Sequence, residues 1–385
     1  MLRKILISQT TCLYLLMLFV ACTEPYAPPE TRGRDFIVID GFLNASTQRS
    51  TVRLSRAVPL NSGLGAPAVK FAQVSLISNT GQNFTLTEQD PLSADSGLYM
   101  VNNIAIDMSA QYKLKIEVGE SQYESDFVSI EETALIESIS AIPEEDGLSI
   151  RVNTLEMPGK GQYYRWKFAE TWQYSSTYFS NFKFDEGPNP FPRLRNADET
   201  IHTCYRTDPS SLIKLGTTKN LSTNVIRDRE LTKVPRESIK LSFLYSIVVT
   251  QISLSNDAYN YWLSLSKTSE NLGGLFDPMP YQIMGNLHSL SSPNEIVIGY
   301  FHASTVEEKR IFVKKSDLPD SYSRYRPLLC QTDTIPLSNI SLIPKSTLII
   351  GDIGPPNVGF TTADPICIDC RIYGGGQTTK PAFWP

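Results

Sequence analysis

The sequence predicts a mostly β protein, and three observations carry that prediction. Short runs of alternating apolar and polar residues recur along the chain, separated by Gly, Pro, Asn and Asp. Tyr (18) and Phe (17) are plentiful among the 385 residues, while extended helical periodicity is scarce. One long run, residues 241–254, is apolar on both alternating faces. Val248, Ile252 and Leu254 fall on one side and Tyr245, Ile247 and Val249 on the other, as in a strand covered on both faces.

The first 21 residues read as a lipoprotein signal peptide. Arg3 and Lys4 form a positive n-region, and residues 13–20 form an apolar stretch too short to span a bilayer. Val20 and Ala21 then precede Cys22, so a small residue meets a cysteine at the end of the leader, the lipobox pattern. Phe19 stands where Leu is favoured, and Cys12 follows polar Gln9, Thr10 and Thr11, which disqualifies it. Cys22 is the expected lipidation site, and two or more acyl chains anchor stably where one is marginal. Thr23 rather than Asp follows Cys22, which favours the outer membrane; Glu24 alone is a weak surface-export signal, and display at the cell surface is the expectation. Residues 22–34, with Pro25, Pro28 and Pro29, read as a stiff tether.

Residues 35–132 carry about seven short strand patterns, including Thr51–Ser55, 69–77, 84–86, 112–118 and 122–128, and this spacing predicts an immunoglobulin-like β-sandwich. Residues 133–315 read as a second β-rich domain. Its strands are expected at 135–140, 148–152, from 163, at 221–226, at 241–254, at 295–301 and at 309–313. Ser255, Asn256 and Asp257 offer a helix N-cap and an acidic first turn. Ala258, Tyr261, Trp262 and Leu265 follow at helical spacing, so one amphipathic helix is expected near 256–271, ended by Gly273 and Gly274. Phe276 to Pro280 then reads as a turn back to the sheet. Residues 316–385, rich in Pro, Cys and Gly, are expected to form an irregular tail packed on the second domain, with Phe383 and Trp384 docked on a sheet.

The charge balance, 35 Lys and Arg against 40 Asp and Glu, contains no basic run and argues against a nucleic acid partner. With Cys12 removed and Cys22 lipidated, Cys204, Cys330, Cys367 and Cys370 remain. Four cysteines outside the cytoplasm read as two disulfides with three possible connectivities. The competing reading of Cys367 and Cys370 as a redox or zinc motif lacks both a second cysteine pair at similar spacing and a βαβ context. In residues 163–168, Tyr164, Trp166 and Phe168 alternate with charges and read as core. Trp172, Tyr174, Tyr178, Phe179, Phe182 and Phe184 run past the expected strand end and are candidates for a partner or glycan surface.

Several scattered pieces taken together resemble one family. They are the lipobox, Ile37-Val-Ile-Asp-Gly41, Leu244-Tyr-Ser246 with Gln251, Ala258-Tyr-Asn-Tyr-Trp262, Gly274-Leu-Phe-Asp-Pro278, Gly285-Asn286, Gly299-Tyr-Phe301, and the ending from Cys367 to Trp384. This combination is similar to the Bacteroidota lipoproteins called domain of unknown function 4249. The resemblance implies an outer-membrane lipoprotein, often encoded beside TonB-dependent receptors. It carries no catalytic residues over to this chain.

The sequence offers no positive sign of catalysis. His202, His288 and His302 sit in no ligand spacing, and His302 reads as a packed strand residue rather than a metal ligand. There is no Gly-x-Ser-x-Gly elbow and no phosphate loop. No catalytic residue, metal site or cofactor is therefore assigned, and the chain is not read as an enzyme. The leading expectation is a membrane-anchored binding or accessory module for an outer-membrane, TonB-dependent type of transporter. A surface adhesin or glycan-binding protein is the alternative, and a hydrolase without a recognisable motif is the third.

Overall fold

The computed structural model describes residues 36–58, 65–93, 96–157, 161–185, 191–270, 285–322, 329–355 and 358–385. The expected signal peptide, Cys22, the expected tether, Asp35, Gly273, Gly274 and the expected turn at 276–280 lie outside them. The N-terminal strands are β1 (Ile37–Asn44), β2 (Arg49–Arg56), β3 (Gln73–Ser78), β4 (Asn83–Gln89), β5 (Leu98–Val101), β6 (Gln111–Val118), β7 (Ser121–Ser125) and β8 (Val128–Glu131). There follow β9 (Ile136–Pro143), β10 (Gly147–Thr154), β11 (Tyr163–Ser175), β12 (Phe182–Phe184), β13 (Pro192–Leu194), β14 (Thr203–Pro209), β15 (Lys214–Thr217), β16 (Arg229–Pro235) and β17 (Leu244–Ser253). Helix α1 (Asn256–Glu270) precedes β18 (Leu287–Ser289), β19 (Val297–Ser304) and β20 (Val306–Lys314). The chain closes with β21 (Thr332–Pro336), β22 (Ile349–Ile353), β23 (Gly359–Ala363), α2 (Pro365–Ile368) and α3 (Cys370–Gly374).

The N-terminal strands form an eight-stranded barrel rather than the expected immunoglobulin-like sandwich. Pairing runs β6-β3-β4-β5-β2-β1-β19-β8, and β8 returns to β6 through Gln111↔Ser129 and Tyr112↔Val128. The strand that closes the barrel comes from far along the chain. β19 lies parallel to β1 on one side and parallel to β8 on the other, so residues 297–304 belong to this barrel and not to the second β block. Local alternation cannot reveal such a pairing, because parallel neighbours are joined by long crossovers. Closure removes the open edges that a sandwich would leave. Ile39, Leu54, Val74, Leu76, Tyr112, Leu114 and Phe301 fill the interior as a packed core.

The second block is itself a two-sheet sandwich. A five-stranded sheet, β14-β11-β17-β20 with β15 also on β11, packs against the three-stranded sheet β16-β10-β9. β17 is its central strand, as its two-faced pattern predicts. Tyr245, Ile247 and Val249 face the sandwich core with Trp166 and Phe168, while Ile252 and Leu254 face α1. The expected strand at 221–226 is absent; that segment is irregular, and β16 supplies the pairing instead.

The barrel and the sandwich meet where β8 passes into β9. Thr133 Oγ1 donates to Thr305 O (2.6 Å) and accepts from Ser253 N (2.9 Å). Buried Gln251 donates from Nε2 to Ala134 O (2.7 Å), and its Oε1 accepts from Trp166 Nε1 (2.8 Å). These bonds satisfy polar groups that burial at the junction would otherwise leave costly.

The C-terminal segment is not the irregular tail expected. β21, β22 and β23 join β12 and β13 in a five-stranded sheet, order β13-β12-β22-β23-β21. Alternating signals here are short and interrupted by Pro and Gly, and β22 and β23 find partners in β12 and β21 rather than in a single local run. Trp384 does dock as expected, packing edge-to-face on Tyr205 and Phe312, while Arg310 lies 3.6 Å over the Phe383 ring.

Candidate functional site

A groove of about 670 Å³ opens between the barrel wall and α1. That is within the size range of small-ligand pockets. Ser255 starts the helix by accepting from Ala258 N through Oγ (3.2 Å), the N-cap that the sequence predicts. The helix turns Ala258, Tyr261 and Trp262 onto Leu215, Ile252 and Tyr300, so its polar Asp257, Asn260 and Ser264 are left on the groove. β8 and β19 supply the other wall, with Glu131, Tyr300 and His302. β1 and β19 pair in register there, and their outward residues alternate with the barrel core.

Three glycine-bearing motifs converge behind this wall. A Cβ on Gly299, whose φ is +135°, would fall 1.8 Å from Ile39 O, and one on Gly285 would fall 1.5 Å from Gly299 O. Asn286 then pairs with β19 as a backbone would: its Nδ2 donates to Phe301 O, and its Oδ1 accepts from Phe301 N, both at 2.9 Å. Motifs far apart in sequence are therefore parts of one seam that sets β19 beside β1.

His302 is the most perturbed group in the groove. It is 5% exposed, stacked on Phe42 with ring centroids 4.6 Å apart, and neither ring nitrogen has a hydrogen-bond partner. Burial, and then the nearby charges of Arg165 and Lys167, hold its pKa well below 6.5, so the ring is neutral at pH 7. Burial pushes the Glu131 carboxyl above its usual range. Behind the helix, the buried Arg165 guanidinium lies 3.5 Å over the Trp262 ring. Burial lowers the Arg165 pKa to about 10 against the opposing pull of Asp40, so it stays charged at pH 7. Buried Ser253 Oγ also lacks a partner, so it is not joined to His302 as a nucleophile to its base. Among the described residues the lining carries Asp126, Glu131 and Asp257 but no Lys or Arg, together with hydroxyls, amides and two tyrosine rings. Such a lining suits a ligand that donates hydrogen bonds, an amine or a polyol.

The aromatic candidates are placed otherwise. Trp172, Tyr174 and Phe184 are buried, Tyr178 and Phe182 are partly buried, and only Phe179 is half exposed. They form no common outer surface. Instead they receive the C-terminal segment of the same chain. Tyr174 Oη donates to Cys370 O (3.0 Å) and accepts from Gly376 N (2.7 Å), Tyr178 Oη donates to Cys330 O (2.8 Å), and Phe182 packs edge-on against Phe360. Amphipathic rings with a polar tip suit such contacts. The four cysteines form two bridges, Cys204–Cys370 and Cys330–Cys367, so the two cysteines of the C-terminal pair are each joined to a distant partner. Among the described residues no group of three or more His, Cys, Asp or Glu is placed to hold a metal ion, and no helix is long and apolar enough to cross a membrane.

Sequence reading missed the groove. Its described walls come from five separated segments, at 111, 126–131, 253–264, 285–286 and 300–303, and no local pattern marks them as one site. The helix cap at Ser255, the Gly285-Asn286 and Gly299-Tyr-Phe301 motifs and His302 stand out in the sequence for other reasons; the burial of His302 agrees with its reading as a packed strand residue, and its unpaired nitrogens add to it. No curated protein matches the chain. The family model described as "Domain of unknown function (DUF4249)" matches residues 23–310, ending within β20, and by that match the chain belongs to the DUF4249 family.

Proposed function

We propose that this protein is an outer-membrane lipoprotein, anchored through Cys22 and displayed at the cell surface, which serves a TonB-dependent type of transporter as a binding module rather than an enzyme. The observation that carries the reading is the leader, in which basic residues, an apolar stretch, a small residue and Cys22 stand in register. Two disulfides in the body agree with an oxidising compartment. The groove beside α1, with its unpaired His302 and Ser253, is the surface that would meet a ligand or the transporter. The glycan-binding alternative loses its original support, because the aromatics that suggested it are mostly covered by the chain's own C-terminal segment.

Labelled palmitate is expected to enter the wild-type protein and not Cys22→Ser, and the variant is expected to leave the membrane fraction. Gentle detergent extraction should recover the wild-type protein with a β-barrel partner. Recovery only as a free monomer counts against the transporter role, and normal labelling of Cys22→Ser overturns the anchor.

A further inference from the structure

The barrel has two unlike ends. One end joins the sandwich: β1 ends there at Asn44 beside Ser304, the end of β19, and β8 ends there at Glu131. The chain enters at the other end, where β1 begins at Ile37 opposite Arg56, the last residue of β2. The start of β3, the link from β4 to β5, and the turn from β6 to β7 share this second rim, because Gln73 pairs with Glu117 and Gln89 pairs with Leu98.

Two large apolar side chains stand out from that rim. Phe71 is 79% exposed and Leu92 is 93% exposed. Both belong to held segments. Phe71 N donates to Glu88 Oε2 (2.8 Å), with Phe71 itself in the left-handed region at φ +57°. Neighbouring Lys70 donates from Nζ to Pro91 O (3.2 Å) and Ser93 O (2.8 Å), the carbonyls either side of Leu92. Left-handed backbone is uncommon for a bulky residue, and here it coincides with an aromatic ring presented to solvent. Ordering exposed apolar groups in this way gains nothing from the barrel core, which they do not enter.

We propose that this rim docks on the lipid bilayer, with Phe71 and Leu92 entering its interfacial region. The proposal rests on the lipid anchor at Cys22 proposed above. The occupant follows from where the chain outside the described residues ends. The chain between Cys22 and Phe36 extends to about 47 Å at most at 3.6 Å per residue, and it enters the barrel at the same rim as Phe71 and Leu92. A body tethered there samples the bilayer at high effective concentration, so two apolar contacts are enough to orient it. The sandwich and the groove at the opposite end then point away from the lipid.

The test supplies the anchor chemically, so that it does not depend on whether cells lipidate Cys22. The chain from Cys22 onward, its other four cysteines paired, is coupled through Cys22 to maleimide-lipid vesicles of phosphatidylethanolamine and phosphatidylglycerol carrying brominated acyl chains. Tryptophan is placed at the rim by Phe71→Trp, or on the exposed barrel wall by Thr85→Trp. The expected result is that the bromolipid lowers the added emission of Phe71→Trp at least twofold and leaves that of Thr85→Trp unchanged. Equal quenching of both, quenching of Thr85→Trp alone, or quenching of neither overturns the proposal. Thermal melting of the two variants beside wild type confirms that each is folded. Loss of palmitate labelling is a separate result and bears only on the anchor.

Discussion

At the scale of single residues, His302 is a buried titratable group that the fold holds in its neutral form. It faces Phe42 from β1, Arg165 and Lys167 from β11, and the groove carboxylates, yet neither nitrogen is paired. Its folded pKa lies below the unfolded 6.5, so as pH falls through 6.5 the unfolded chain takes up a proton that the folded chain refuses. This contribution to stability is therefore complete above pH 6.5 and is lost as pH falls below it, by at most about 1.4 kcal/mol per pH unit for one proton. Glu131, raised in the fold, works in the opposite sense but is common to wild type and variant. His302→Phe keeps the stacking on Phe42 and removes the titration. Urea unfolding of both proteins at pH 7 and pH 5 is expected to show the variant gaining on wild type at the lower pH. A pH-independent difference would mean that the native ring takes up a proton normally.

At the scale of elements, the seam between β1 and β19 decides whether the barrel closes. Gly299→Ala puts a methyl group against Ile39 O, where two backbones already meet and neither can yield. The expected loss is about 3 kcal/mol or more, the class of effect produced by core overpacking with backbone strain. Gly351→Ala is the control, since a Cβ there meets nothing within 4 Å and the expected change is within about 0.5 kcal/mol. Thermal melting separates the two, and equal effects would show that the seam carries no special weight. The helix needs no such seam. Ser255, the acidic Asp257 and the apolar spacing from Ala258 suffice to start it and turn it, which is why its position was legible from residues 255–265 alone.

At the scale of the whole molecule, the C-terminal sheet is held to the sandwich by covalent as well as apolar contacts. Cys204–Cys370 spans 166 residues in sequence and joins β14 to α3, while Cys330–Cys367 spans 37 residues within the C-terminal segment. Removing one native bridge typically costs about 2–5 kcal/mol. Cys370→Ser is therefore expected to lower the melting temperature and to release the segment from Tyr174, with faster hydrogen exchange from Cys367 to Trp384. Mass mapping without reduction should find the two linkages named and no Cys367–Cys370 loop; finding that loop would refute the assigned pairing.

Local physics was enough for the sequence by itself to determine the β class, the two-faced strand at the centre, the capped helix and the docking of Trp384. Alternation, caps and aromatic bulk act within a few residues, so a window of sequence contains their cause. Cysteine count and compartment likewise set the expectation of two bridges, but three connectivities satisfied them equally. Only the tertiary structure decided which cysteines meet and that the N-terminal strands close as a barrel through β19. It also decided that aromatics from Trp172 to Phe184 are covered by the chain's own end, and that Glu131, Ser253 and His302 share a groove. Each of these depends on segments far apart in the chain coming together. The free energy of such a meeting lies in shared burial and pairing, which neither segment expresses alone.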